Sequence, residues 1–225
     1  MDASPKFLRF AAVCAFVTAL TTLAVHLMPQ LWAGADTFEK QLELRHCGPY
    51  LLRLWIVLFH CLLVVISMAA ICLLIFRASP GWTGLGFLAF VVFALTEILR
   101  TSLALFAANR NLRERYATNP DPEARAHIRL LLEAFQGLNS ALFFIFIVAF
   151  FLGLLCYGMA LVNGSHPDRA LGFLFLGWAA LSLPAIIDTV AGVDLIGDKL
   201  AWVGYGFQPI ARVAIGAWLW KKSSA

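Results

Sequence analysis

Charge is what this chain has least of. Asp, Glu, Lys and Arg make up 13% of its 225 residues, about half the roughly 25% of an ordinary soluble domain. Apolar residues make up 61%, more than one globular core of this length can hide from water. A water-soluble fold and a disordered chain are both excluded. The net charge of +4 gives no basic surface of the kind that nucleic acid requires. The five cysteines are Cys14, Cys47, Cys61, Cys72 and Cys156; no C-x-x-C pair occurs, and all but Cys47 fall inside apolar runs. A disulfide scaffold has no support, and the four read as small apolar residues in helix packing. No P-loop, G-x-G-x-x-G, G-x-S-x-G or H-E-x-x-H signature is present, so no reaction is assigned.

What the chain does have is six long apolar runs, at about 10–28, 54–76, 82–108, 138–162, 170–190 and 200–220. Each is long enough to cross ~30 Å of hydrocarbon at ~1.5 Å per residue. Lipid offers the backbone no partners, so such runs become helices. The expected fold is all-α: a polytopic membrane protein with six transmembrane helices in one bundle. The N-terminal run, with Ala33-Gly34-Ala35 after it, has some features of a signal peptide, but it is long for a signal h-region and reads as a retained first span. Before the fourth span, Asn119-Pro120-Asp121-Pro122-Glu123 reads as a turn and a helix start. Ala124, Ile128, Leu131, Leu132 and Phe135 then form an apolar stripe. That pattern predicts a short amphipathic helix, lying in the interface or extending span four above the membrane.

Six spans put both termini on one side, opposite the longer loops 29–53, 109–137 and 191–199. Counting Lys and Arg outside the spans gives nine on the long-loop side and six on the terminal side, which favours long loops inside. Lys6 and Arg9, close before the first span, favour the opposite. The second signal sets the expected orientation: a bacterial-type cytoplasmic (inner) membrane with both termini in the cytoplasm.

The informative residues are those that lipid should reject. A charged side chain at mid-bilayer costs at least ~2.5–3.5 kcal/mol, so it turns inward and finds partners. Glu97 and Arg100 share a face of span three. Asp188 follows Pro184 by one turn in span five. Tyr205, Gln208 and Arg212 share a face of span six, while Arg53, His60 and Ser67 recur every seven residues along span two. Asn139 stands at the start of span four among Glu133, Gln136 and Ser140. The four intramembrane charges sum to zero, which allows two structural ion pairs. They also allow a polar cavity toward the long-loop side in which arginine forks grip an anionic group. The expected ligand-binding set is Glu97, Arg100, Asp188, Arg212, Gln208, Tyr205, Arg53, His60 and Asn139, for a small polar, anionic or amphiphilic molecule. Proton relay by Glu97 or Asp188 is the third reading.

His26 and His60 fall at comparable depths on neighbouring spans, so haem or a metal is a further expectation, with Glu43, His46 and Cys47 in the adjoining loop. The Phe-rich span four (Phe143, Phe144, Phe146, Phe150, Phe151) offers a face for other membrane subunits, for a second copy, or for lipid. With the spans placed, the rhythm of the runs, Thr96-Glu97 and the ending Pro209-Ile210-Ala211-Arg212-Val213-Ala214-Ile215-Gly216-Ala217-Trp218-Leu219-Trp220 resemble a broad bacterial group of six-helix integral membrane proteins described as a domain of unknown function. The resemblance implies the six-helix architecture and brings no catalytic residue with it.

Overall fold

The computed structural model describes residues 4–32, 37–192 and 197–224, with the side chains from 197 to 202 excepted. Among the described residues every regular element is helical. The long helices are α1 (Pro5–Leu27), α3 (Gly48–Ile75), α4 (Pro80–Ser102), α6 (Pro122–Leu161), α7 (His166–Ala191) and α8 (Gly197–Lys222), with the short α2 (Phe38–Glu43) between α1 and α3. Beyond Ser102 the α4 axis continues through a π-helical stretch, Leu103–Arg113, into α5 (Glu114–Thr118).

Local chemistry sets the starts. Proline stands in the first turn of α1, α3, α4, α6 and α7, where a missing N–H costs nothing. Ser4 Oγ accepts from Phe7 N at 3.2 Å, and Asp121 accepts from the backbone of Glu123 and Ala124. These caps satisfy orphan donors at the helix ends.

The long helices pack as a nearly closed ring in the order α8, α1, α3, α4, α6, α7. Each neighbouring pair packs extensively, whereas α7 and α8, which would close the ring, meet only sparsely. Their contact is a clasp at one end. Asp168 at the start of α7 accepts from Trp218 Nε1 at 2.9 Å and pairs with Lys222 Nζ at 2.9 Å. The core runs through the ring: Leu8, Ala11 and Ala15 of α1, Val64, Met68 and Ile71 of α3, Phe90 of α4, Leu154 and Tyr157 of α6, Phe175 of α7 and Ile215 and Leu219 of α8. Tyr157, fully buried, donates its hydroxyl to Met68 O at 2.9 Å and so ties α6 to α3. The closest helix crossing is α6 on α7. A Cβ built at Gly172 would sit 2.8 Å from Val162 N and 3.1 Å from Gly158 O, so this approach requires glycine.

Five helical stretches are long and apolar enough to cross a membrane: Pro5–Trp32, Gly48–Ile75, Pro80–Thr118, Pro122–Leu161 and His166–Ala191. These long apolar helices mark a membrane-embedded protein, and the first five predicted runs fall on them. The sixth, 200–220, is helical within α8 but is not among the five. Gln208, Pro209 and Arg212 lower its apolar character, although α8 packs lengthwise on α1.

Two local expectations are corrected. No separate amphipathic helix precedes span four: α6 is continuous for 40 residues through Gly137, about 60 Å at ~1.5 Å per residue. The apolar stripe of its first turns is used inside the protein. Ile128 and Leu132 are buried against Leu42 of α2 and Ala108 of the π-helical stretch. Likewise 109–137 is no loop. Two helices run past the apolar zone and reverse at Asn119-Pro120-Asp121.

Candidate ligand-binding site

Two cavities lie inside the ring, and the carboxylate-bearing Glu97 lines both. The side chain of Val57 on α3 is also common to the two. The outer one, toward α2, has a volume of about 210 Å³ and is lined largely by polar groups, including Arg53, Arg100, Arg113, Gln41, Gln136 and Asn139. The inner chamber has about 370 Å³ and a mostly apolar wall, with His26, His60, Tyr205, Gln208 and Arg212 as its polar inserts. The polar stripe of α3 runs through both: Arg53 faces the outer cavity and His60 the inner, one heptad or ~10 Å apart along the helix. Ser67, further on, is fully buried and donates to the carbonyls of Leu63 and Val64 in its own helix.

Glu97 and Arg100 form the partition. Arg100 Nη2 donates to Glu97 Oε1 at 2.6 Å and Arg100 Nε to Glu97 Oε2 at 2.7 Å. Both carboxylate oxygens are thus taken by one guanidinium fork. Asn139 Oδ1 accepts from Arg100 Nη1 at 3.4 Å, and the guanidinium stands 5.7 Å from the Phe143 ring centre. This is one of the two ion pairs that charge balance allowed.

The second such pair is not formed. Asp188 is half-buried late in α7, engaged in its own interaction, and lines neither cavity. Arg212 is 3% exposed. Among the described residues no carboxylate lies within ion-pair distance of it, and its Nη1 is buried without a hydrogen-bond partner. Its one strong neighbour is the Trp178 ring, 4.9 Å from the guanidinium carbon. A cation–π contact offsets part of the desolvation of a cation, about 0.5–2 kcal/mol, and leaves its hydrogen-bonding capacity unfilled. Burying an ion without a partner costs several kcal/mol. The chamber therefore offers one poorly compensated positive charge inside an apolar enclosure.

The rest of the chamber is ordered around that charge. His26 Nε2 donates to Gln208 Oε1 at 3.3 Å and stacks on Tyr205 at 4.3 Å. His60 Nδ1 and Thr21 Oγ1 are hydrogen-bonded at 2.7 Å. On the opposite side an aromatic wall is built from Phe93, Phe143, Phe146 and Phe150, with Phe93 and Phe146 stacked at 4.7 Å. Trp178 joins this wall to α8 through edge contacts with Phe150 and Phe207. Three of the five phenylalanines expected on an outward face of span four therefore look inward, and Phe144 is exposed.

The donor set does not favour a metal. Among the described residues no group of three or more His, Cys, Asp and Glu is arranged to hold an ion. His26 and His60 each already have a hydrogen-bond partner, and Glu43 pairs with Arg45 outside the chamber. Of the nine expected ligand residues, the outer cavity collects Arg53, Arg100 and Asn139, the chamber collects His60, Tyr205, Gln208 and Arg212, and Glu97 serves both. Only Asp188 stands apart. Sequence reasoning missed Trp178, the aromatic wall and Arg113. For Trp178 a signal existed, because a tryptophan in mid-span departs from the interfacial preference of that residue. Pro209 of α8 is a counterpart to Pro184 of α7; both sit inside helices on the sparsely packed side of the ring. No family model, no curated protein and no solved structure matches this chain.

Proposed function

We propose that this chain is a six-span inner-membrane protein that binds an anionic amphiphile in the inner chamber, with both termini in the cytoplasm. The anionic group meets Arg212, Gln208 and Tyr205, and the apolar portion lies along Phe93, Phe146, Phe150 and Trp178. The observation that carries this reading is the buried, unpaired guanidinium of Arg212 facing an apolar space of about 370 Å³. An anion supplies the counter-charge that the described residues lack, and a mostly apolar wall with few polar inserts is the usual build of a small-molecule site. Access fits the packing: α7 and α8 are clasped at Asp168, Trp218 and Lys222 and otherwise meet sparsely. A lipid-borne molecule entering between them passes the exposed Leu183, Ile187 and Ile210. Kinship with the six-helix bacterial group belongs to the same proposal and adds no chemistry to it.

The test is a titration of the purified chain with dodecanoate, dodecanol and dodecyltrimethylammonium, followed by tryptophan fluorescence. Saturable binding of dodecanoate alone, lost in Arg212→Gln, is the expected result. Equal binding of all three, or binding unchanged in Arg212→Gln, overturns the reading.

A further inference from the structure

The outer cavity carries an independent excess of positive charge. Four charged side chains line it: Arg53, Arg100, Arg113 and Glu97. Arg100 and Glu97 neutralise one another through two short hydrogen bonds. Arg53 and Arg113 remain. Arg53 uses Nε on the carbonyl of Val25 at 3.0 Å, and Arg113 uses Nη1 on Asn109 Oδ1. Neither has a carboxylate within ion-pair distance among the described residues. Two guanidiniums therefore face one cavity of about 210 Å³ with no counter-ion.

The surroundings hold this arrangement in place. Arg113 closes an eleven-residue π-helical stretch, a backbone form that is rare and frequently tied to function. Asn109, 2% exposed, donates Nδ2 to Ala104 O at 2.7 Å and accepts from Arg113. The extra residue per turn and this relay set Arg113 on the cavity side, with its guanidinium 5.9 Å from the Tyr50 ring centre. Helix α2 lies across the cavity, anchored by Leu42 in its small apolar cluster and by a 3.3 Å hydrogen bond from Gln136 Nε2 to Gln41 Oε1. Gln41, Gln136, Asn139 and Thr101 add neutral polar groups around the same space.

We infer that the outer cavity is a second binding site, selective for a doubly charged phosphate-type oxyanion held between Arg53 and Arg113. Two unpaired forks match two negative charges. A tetrahedral oxyanion presents enough acceptors for both forks and the flanking amides, whereas a single carboxylate leaves one arginine uncompensated. The chemistry is common to free phosphate and to the headgroup of a phosphate-monoester lipid. The site does not depend on the chamber reading, because Arg212 takes no part in it.

The full-length chain in phosphatidylcholine nanodiscs is titrated calorimetrically with inorganic phosphate at low ionic strength, with chloride as the control. In parallel, nanodiscs containing phosphatidic acid are analysed by native mass spectrometry for retained lipid. Arginine-dependent binding of inorganic phosphate identifies a free ion. Arginine-dependent retention of phosphatidic acid alone identifies a lipid headgroup, and either supports the site. Arg113→Gln weakens binding about tenfold or more, the size of one lost charge-assisted hydrogen-bonded contact, and Arg53→Gln/Arg113→Gln abolishes it. Arg113→Lys, which keeps the charge and loses the fork, falls between. Arg113 is only half-buried, so its single variants keep the test valid if the double variant does not fold. Arg212→Gln leaves this binding unchanged while removing dodecanoate binding, which separates the two sites. No saturable signal from either probe, or a signal that survives Arg113→Gln, overturns the inference.

Discussion

Replacing Arg212 with methionine should stabilise the empty protein, the reverse of what loss of a buried contact normally does. The guanidinium is 3% exposed, its Nη1 has no partner, and no described carboxylate pairs with it. Replacement of buried ionic groups by apolar ones of similar volume gains about 1–4 kcal/mol in favourable cases. The Trp178 contact returned by the substitution is worth ~0.5–2 kcal/mol, so a net gain of about 1–3 kcal/mol is expected. The assay is thermal unfolding of delipidated protein in a neutral detergent, followed by tryptophan fluorescence. The Arg212→Met midpoint should lie above wild type without ligand. Dodecanoate at a hundred times its Kd should add about 2.7 kcal/mol to wild type and nothing to the variant, so the gap closes or reverses. An Arg212→Met midpoint below wild type in the absence of ligand refutes the reasoning, because it means that Arg212 already has a satisfying partner.

Three other outcomes follow from the packing. Glu97→Gln leaves the Arg100 guanidinium, 23% exposed, without its counter-charge. It should cost about 2–4 kcal/mol after allowance for that exposure, and Glu97→Gln/Arg100→Met should cost less than Glu97→Gln alone in the same unfolding assay. Asp168→Asn removes the Lys222 pair and weakens the Trp218 hydrogen bond at the α7–α8 clasp. A loss of about 1 kcal/mol is expected, with faster maleimide labelling of a cysteine placed at Ser182 on the chamber side of α7. Gly172→Ala drives a methyl against the Val162 and Gly158 backbone, which cannot rotate aside. It should lower stability by about 1–3 kcal/mol, whereas alanine at Gly177, where a Cβ meets nothing within 4 Å, should be nearly neutral.

The membrane character and the all-helical architecture were legible because both rest on composition and run length, which lipid constrains tightly. The identity of the inward-facing polar residues was largely legible for the same energetic reason. Eight of the nine expected ligand residues line a cavity. What could not be read was their division. Nothing in the spacing of Arg53 and His60 tells that one heptad separates two cavities, because that depends on where α2 and the partition at Glu97 fall. Asp188 was misjudged because charge balance alone paired it with Arg212; proximity depends on helix rotation, which the sequence of an apolar helix barely encodes. The Phe-rich run of α6 was ambiguous because an aromatic stripe suits lipid and interior equally. The start of α6 was ambiguous because its apolar stripe fits a bilayer surface or a neighbouring helix, and the neighbour is α2.

The central claim is that the Arg212 chamber takes an anionic amphiphile, and native mass spectrometry of the protein released from its own membrane tests it most directly. Wild type should carry one acidic amphiphile per chain, and Arg212→Gln should fly without it. Wild type free of any such adduct, or an adduct of equal occupancy on Arg212→Gln, would contradict the account.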